Sequence, residues 1–186
     1  MKSWSKFGDI KHLLKVLLED VHSAEKLLEQ NDSQFARRSY IRSIFAYVEG
    51  SVWLFKQLCL YAVRSVDEIT VTNSEYSILE EKSYELKRNG EIQERIKFIR
   101  LPDNIRFTFK ILNKFLLRDV DIKAGTKEWE FFLIALNIRH RITHPKDATE
   151  YQVEDKEIEL CMNVCTWFND LVMDSLVVLM EQSKVE

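Results

Sequence analysis

The sequence predicts an all-α fold: an antiparallel up-and-down bundle of four or five main helices, with a short excursion around residues 66–101. Three observations support this prediction. Only four glycines and two prolines occur in 186 residues, 46% of the residues are hydrophobic, and the apolar residues recur at helical spacing. Sheet-rich folds need frequent turn residues, so this composition favours long helices joined by few loops. At this length we expect a single domain over residues 1–186.

Helical periodicity defines the individual elements. Apolar residues spaced three and four apart predict helices over residues 9–30, 33–65, 127–143 and 154–182, and Pro102 begins another. Within the excursion, Thr72 and Glu75 match a capping box, which predicts a weaker helix that continues to about Arg88 and is closed by Asn89-Gly90. In the segment 91–101, Ile92, Ile96 and Ile99 fit a helix, but the segment is short and stays ambiguous.

Composition also bounds the class of protein. The net charge of −3 is not typical of a nucleic-acid binder, although local basic patches can still matter. An odd count of cysteines, Cys59, Cys161 and Cys165, predicts reduced core residues in a cytoplasmic protein. Charged residues such as Glu49 and Lys56 interrupt the most apolar stretches, so no membrane span and no membrane partner are expected.

The helix over residues 127–143 has an unusual sequence. From Trp129 to Ile138 it is apolar almost all round, which predicts burial on most of its surface. It then becomes basic and ends in Arg-His-Arg-Ile-Thr-His-Pro, residues 139–145. Pro145 cannot continue the helix and disfavours helical geometry at the preceding residue. We therefore expect His144 to leave the helical path.

Arg139 is followed by four residues and then His144, and this spacing resembles the Arg-x4–6-His motif of HEPN domains. A polar residue usually follows the arginine in that family, and His140 fills this place. The resemblance implies a metal-independent endoribonuclease without a cofactor, of the kind found among prokaryotic toxins and defence effectors. It implies RNA as the substrate, a homodimer whose two motifs complete the site, and an antitoxin or regulatory protein as a possible partner.

The chemistry of these side chains suits RNA cleavage by attack of the 2′-hydroxyl on the adjacent phosphate. An imidazole with a pKa near ~6.5 serves as acid or base at neutral pH, so His144 is a candidate catalytic residue. A guanidinium grips two phosphate oxygens and stays charged, so Arg139 is the second. One histidine does not easily act as both acid and base in one step, which favours a dimer.

Helix geometry predicts which residues support the pair. At about 100° per residue, Arg139 and His144 lie roughly 140° apart on an ideal helix, so they share a face only if His144 departs from it. Arg139 points in a more buried direction and needs a carboxylate, for which Glu49 is the candidate. The exposed strip is predicted to consist of Asn137, His140, Arg141 and His144.

Other interpretations stay open. His140 and His144 form an HxxxH pair that can bind zinc, but no third ligand is evident and no metal is expected. The arginines can simply complement a helix dipole, and Glu49 can have a local partner. A non-catalytic HEPN-like module that binds a protein or a nucleotide is the main alternative function. A basic run could guide RNA or be a solvated surface: Arg95, Lys97, Arg100, Arg106, Lys110, Lys114 and Arg118.

Overall fold

The computed structural model describes residues 3–65 and 71–182. Helices make up 69% of the structure, and the strands form one two-stranded sheet, so the predicted all-α bundle with a short excursion is confirmed. The elements are α1 (Ser3–Gln30), α2 (Gln34–Ser65), α3 (Asn73–Leu79), β1 (Lys82–Leu86), β2 (Ile92–Ile96), α4 (Leu101–Leu112), α5 (Lys127–Thr143) and α6 (Asp155–Gln182).

The third helix begins as predicted but ends early. The Thr72 hydroxyl accepts a hydrogen bond from the Glu75 amide at 3.2 Å, and the Glu75 carboxylate accepts one from the Thr72 amide at 2.9 Å. This capping box is confirmed. The helix ends at Leu79, and Glu81 turns the chain with a φ of 57°. The prediction of a helix to about Arg88 is wrong.

A β-hairpin replaces the rest of that helix and the ambiguous segment. Residues 82–86 read Lys-Ser-Tyr-Glu-Leu, an alternation with the period of a strand, and β1 pairs antiparallel with β2. Asn89-Gly90 forms the hairpin turn instead of a helix end. Gly90 takes a φ of 85°, which glycine adopts without strain, and its amide donates to the Lys87 carbonyl at 3.0 Å.

The chain divides into two compact units. Met1–Ser51 and Asp121–Ser175 form the first, which contains α5 and is called here the motif unit. Val52–Val120 and Leu176–Glu186 form the second, which contains the hairpin and is called the hairpin unit. The expectation of a single domain over residues 1–186 stays a prediction.

Aromatic rings from three helices form the core of the motif unit. The ring of Phe132 on α5 lies 6.3 Å from Phe45 on α2 and 5.7 Å from Trp167 on α6. Trp129 stacks edge-on against Trp167 at 6.1 Å, and Phe168 continues the cluster at 6.0 Å. Such pairs contribute beyond their buried area, and together they fix α5 against α2 and α6.

The hairpin unit has its own core, which includes a buried charge. Phe55 on α2 and Phe109 on α4 lie 5.4 Å apart between ring centroids. Lys56 is only 1% exposed, and its ammonium donates to the Glu81 carboxylate at 2.9 Å. A buried charge is tolerated when it is paired, so the positive φ at Glu81 places a carboxylate where this lysine needs one.

The cysteines lie in the interior, as the sequence predicts. Cys59 and Cys161 are buried and Cys165 is half-buried, and all three are free thiols. Burial raises the pKa of Cys59 and of Cys161 to about 12, and that of Cys165 to about 11. These thiols are therefore protonated and unreactive at neutral pH.

Candidate functional site

Helix α5 buries one side and exposes the other. Its bounds, Lys127–Thr143, match the predicted helix. Burial holds for the side that carries Trp129 and Phe132, but it fails at Leu133 and Ile134, which are 37% and 48% exposed. Leu133 lies on the same helical face as three exposed polar residues one, two and three turns further on: Asn137, His140 and His144.

The end of α5 has the geometry that Pro145 predicts. The last helical residue is Thr143, and His144 has φ −128° and ψ 58°, outside helical values. The His144 amide still donates to the His140 carbonyl at 3.0 Å. The Thr143 hydroxyl donates to the Arg139 carbonyl at 2.7 Å, which satisfies another acceptor of the last turn. The expected departure of His144 from the helix is confirmed.

Arg139 pairs with the carboxylate that the sequence predicts. Its Nη2 donates to Glu49 Oε1 at 2.8 Å, so the helix end on α5 is tied to α2. The pair is not deeply buried, because the side chains are 25% and 44% exposed. One edge of the guanidinium is held by Glu49, which orients the group.

His140 links the members of this cluster electrostatically. Partial burial lowers the pKa of His140 below its usual value, the positive charges of Arg139 and His144 lower it further, and Glu49 opposes them. These charges can act on one imidazole only if they lie in one neighbourhood. The structure thus brings Glu49, Arg139, His140 and His144 together, and at neutral pH it favours the uncharged form of His140.

The lowered pKa makes a testable difference to pH-dependent stability. Because folding disfavours the protonated form, His140 stabilises the fold above its unfolded pKa of about 6.5, and this contribution is lost as pH falls through the lower folded pKa. We expect His140→Gln to reduce the loss of unfolding free energy between about pH 7.5 and about pH 5.

An NMR titration of the His140 ring should give a pKa that Glu49→Gln lowers and Arg139→Gln raises. A pKa of His140 that rises in Glu49→Gln or falls in Arg139→Gln would contradict the placement of these two charges beside the ring.

Arg141 contacts the loop after α5 and helix α6 instead of assisting at the exposed strip. Its Nη2 donates to both oxygens of Glu157 on α6, at 2.7 and 2.8 Å. Its Nη1 donates to the backbone carbonyls of Glu150 and Gln152, at 2.6 and 2.7 Å. The guanidinium that was expected to assist at the exposed strip therefore holds the loop after α5 against α6.

The loop over residues 144–154 is fixed from α2 as well. The side-chain amide of Gln34 forms two hydrogen bonds with the Val153 backbone. Its Nε2 donates to the Val153 carbonyl at 3.0 Å, and its Oε1 accepts from the Val153 amide at 2.8 Å. Arg37 donates to the Val153 carbonyl at 2.9 Å and forms ion pairs with Asp32 and Asp155, each at 2.6 Å. This loop begins at His144, so its order helps to define where that imidazole lies.

A group of three residues beside the helix end, Arg38, Arg42 and Tyr151, was not predicted from the sequence. Arg42 donates from Nη2 to the Ile142 carbonyl at 3.1 Å and to the Tyr151 hydroxyl at 3.0 Å. The guanidinium of Arg38 lies 3.8 Å from the centroid of the Tyr151 ring. The hydrogen bond from Arg42 and the charges of both arginines lower the pKa of Tyr151. The spacing of Arg38, Arg42 and Glu49 along one side of α2 was the available signal.

The basic run lies in the hairpin unit, and part of its charge is neutralised. Arg95 Nη2 lies 2.5 Å from the Glu85 carboxylate, and Lys114 Nζ lies 2.9 Å from that of Glu75. Arg106 and Lys110 lie on the exposed side of α4. A role in guiding RNA and a solvated surface both stay open for this run.

The structure contains a cavity away from the motif. A cavity of about 460 Å³ lies beside the first turn of α5 and the middle of α6 and is lined by acidic and aromatic groups that include Asp121, Glu128, Phe131, Trp167 and Asp170. Across residues 3–65 and 71–182, no group of three or more His, Cys, Asp or Glu side chains is arranged to hold a metal ion. No helix in these ranges is long and apolar enough to cross a bilayer.

No protein-family model, curated protein or solved structure matches the chain. Function must therefore be inferred from the groups at the end of α5. They comprise two imidazoles, an oriented guanidinium and a carboxylate, on a fixed helix end next to an ordered loop.

Proposed function

We propose that the chain is a metal-independent endoribonuclease of HEPN type that acts as a homodimer in the cytoplasm, as a toxin or defence effector held by a regulatory protein. The observation that carries the proposal is the assembly of Glu49, Arg139, His140 and His144 at one helix end. His144 carries an exposed imidazole at the same helix end as the oriented guanidinium of Arg139, and these are the two kinds of group that cleavage by the 2′-hydroxyl uses.

The reaction forms one bond and breaks one. The 2′-oxygen attacks phosphorus and loses its proton to a neutral imidazole, and a 2′,3′-cyclic phosphate forms. The bond from phosphorus to the 5′-oxygen breaks, and a protonated imidazole gives its proton to that oxygen. His144 is the catalytic imidazole in each copy, and two copies supply the acid and the base. No atom changes oxidation state in this transesterification, so the acid and base catalysis described here needs no redox group.

Arg139 stabilises the charge that develops on the phosphoryl oxygens. A guanidinium that is already oriented does not need to reorganise during the reaction. Glu49 provides that orientation through its 2.8 Å contact with Nη2. The lowered pKa of His140 keeps its imidazole uncharged at neutral pH, and this imidazole supports the reaction by hydrogen bonding to the substrate. Asn137 lies one turn before His140 on the same exposed face, where a bound RNA strand would lie.

The exposed side of α5 supports association of two copies. Leu133 and Ile134 are large, apolar and partly exposed, next to the polar strip that ends at His144. Exposed apolar residues in a cluster mark interaction surfaces more often than isolated ones do. A two-fold axis near this face would bring two His144 imidazoles to one phosphate.

The proposal is tested by incubating the purified protein with mixed RNA in EDTA and analysing the fragment ends. We expect fragments with 2′,3′-cyclic phosphate and 5′-hydroxyl ends. Intact RNA at high protein concentration would contradict the proposal, provided that no inhibitory partner co-purifies. A requirement for added divalent metal would contradict the metal-independent mechanism.

Mixing subunits tests whether two copies share the site. Wild-type and His144→Ala subunits are mixed in different proportions, by refolding them together or by subunit exchange. RNA cleavage is then measured at constant total protein. If both copies supply an imidazole, mixed dimers are inactive and activity falls with the square of the wild-type fraction. A linear fall would show that one copy suffices and would contradict the shared site.

One observation favours a second candidate, a non-catalytic HEPN-like module that binds a nucleotide or a protein. Glu49 already compensates the charge of Arg139, which weakens its attraction for phosphate. In that case the protein would bind a ribonucleotide or a partner through this face without cleavage. Binding of a ribonucleotide or a partner by the wild-type protein without any cleavage, and the same binding in His144→Ala, would favour this candidate.

A further inference from the structure

The β1–β2 hairpin has one face made largely of exposed apolar side chains. Its register sets Lys82 opposite Ile96, Tyr84 opposite Glu94, and Leu86 opposite Ile92. Side chains alternate along strands, so these three pairs share one face. The apolar members are unusually exposed, with Tyr84 at 54%, Leu86 at 74%, Ile92 at 72% and Ile96 at 90%.

An uncovered face of this kind is costly. A two-stranded hairpin is at best marginally stable in water unless its apolar face packs against something. Phe98, just beyond β2, is 90% exposed and adds to the apolar surface of this segment. Contiguous exposed apolar patches larger than roughly a few hundred Å² mark interaction sites on soluble proteins, so a partner is expected here.

The charges on this face select the kind of partner. Lys82 Nζ and Glu94 Oε2 lie 3.2 Å apart on the face, one positive and one negative, so its net charge is zero. RNA and anionic membranes attract surfaces with excess positive charge, which this face lacks. A second copy offers the same apolar centre with the same two charges. A two-fold axis can then set Lys82 of one copy against Glu94 of the other.

We propose that the apolar face of the hairpin is a self-association surface through which two copies of the chain pair hairpin to hairpin. A standard interface buries about 800 Å² on each partner, and the exposed apolar side chains with their charged neighbours are of this order. The surface lies on different elements from the exposed side of α5. The inference is therefore independent of the ribonuclease proposal and of the dimer that it invokes.

The mass of the wild-type protein in solution, measured by light scattering over a concentration series, is compared with that of Ile96→Glu. Because Ile96 is 90% exposed, this change should leave the fold intact, which circular dichroism checks. We expect the mass to halve, from tetramer to dimer if α5 also forms a dimer, and from dimer to monomer if it does not. Leu117→Glu, at a residue 63% exposed outside the hairpin, is the matched control and should keep the wild-type mass.

A charge exchange tests the two-fold pairing itself. Lys82→Glu leaves two negative charges on the face and Glu94→Lys leaves two positive ones, so each variant alone should associate more weakly than wild type. An equal mixture of the two should associate again, because their faces are complementary. The two variants carry tags of different mass, so native mass spectrometry distinguishes the mixed assembly from assemblies of either variant alone.

Three results would overturn the proposal. The first is a wild-type protein that is monomeric at every concentration. The second is a mass that Ile96→Glu leaves unchanged. The third is a monomer that binds vesicles of anionic phospholipid and loses this binding in Ile96→Glu, which would assign the face to a lipid surface. The first result would also contradict the homodimer of the ribonuclease proposal, whereas the second and third leave that proposal untouched, because RNA cleavage by the α5 motif is measured separately.

Discussion

Replacing His144 with alanine should lower the rate of RNA cleavage by about 10²- to 10⁴-fold, the range for loss of a positioned general acid or base. The imidazole is exposed at the point where α5 ends, and its backbone already departs from helical geometry. Its removal deletes no buried contact, so the free energy of unfolding should change by less than about 0.5 kcal/mol. The expected result is a protein that folds normally and cleaves RNA poorly.

His12→Ala is the matched control, since His12 is also an exposed histidine but lies on α1. Cleavage rates of both variants are measured on the same RNA, beside their denaturant unfolding curves. His12→Ala should cleave at the wild-type rate. If His144→Ala also did so, the imidazole at the helix end would not be catalytic. If both variants lost activity equally, the activity would not belong to this site.

Arg141→Ala should destabilise the fold by about 2–4 kcal/mol, because it removes four charge-assisted hydrogen bonds and leaves the Glu157 carboxylate without the positive charge that Arg141 supplies. The side chains of Arg141 and Glu157 are 27% and 18% exposed. The loop from Glu150 to Gln152 also loses two of its anchors. Unfolding in urea, with unchanged slope and a lower midpoint, is the measurement.

Arg139→Ala provides the contrast, two residues away on the same helix turn. Its pair with Glu49 is more exposed, so its loss should cost less than about 1 kcal/mol of stability. Its effect on cleavage should be large, about 10²- to 10³-fold, because a preorganised charge is lost. The two arginines would thus separate stability from activity. A variant Arg139→Ala that unfolds more easily than Arg141→Ala would contradict this assignment.

Much of the motif unit could be predicted because its signals are local. Periodicity defined α5 from Lys127 to Thr143, and Pro145 indicated that His144 would leave the helix. The pairing of Arg139 with Glu49 followed from the cost of an unpaired charge near a core. Each of these inferences depends on backbone chemistry or on one strong physical penalty, which a single sequence displays.

Other features could not be predicted because they depend on contacts distant in sequence. Arg141 lies about 60° from His144 on an ideal helix, but only the folded loop supplies the carbonyls and the Glu157 carboxylate that engage Arg141. The place of Tyr151 against Arg38 and Arg42 has the same origin. The hairpin was missed because Asn89-Gly90 can end a helix or turn a hairpin, and the alternation of β1 was the deciding signal.

The most direct test of the central claim uses one RNA oligonucleotide whose cleavage position has been mapped, and a twin with a 2′-deoxyribose at that position. Both are incubated with the protein in EDTA, and the products are identified by mass spectrometry. We expect the RNA to give a 2′,3′-cyclic phosphate and a 5′-hydroxyl, and the twin to stay intact at that position. Cleavage of the twin there, or no cleavage of either oligonucleotide, would contradict catalysis by Arg139 and His144 through the 2′-hydroxyl.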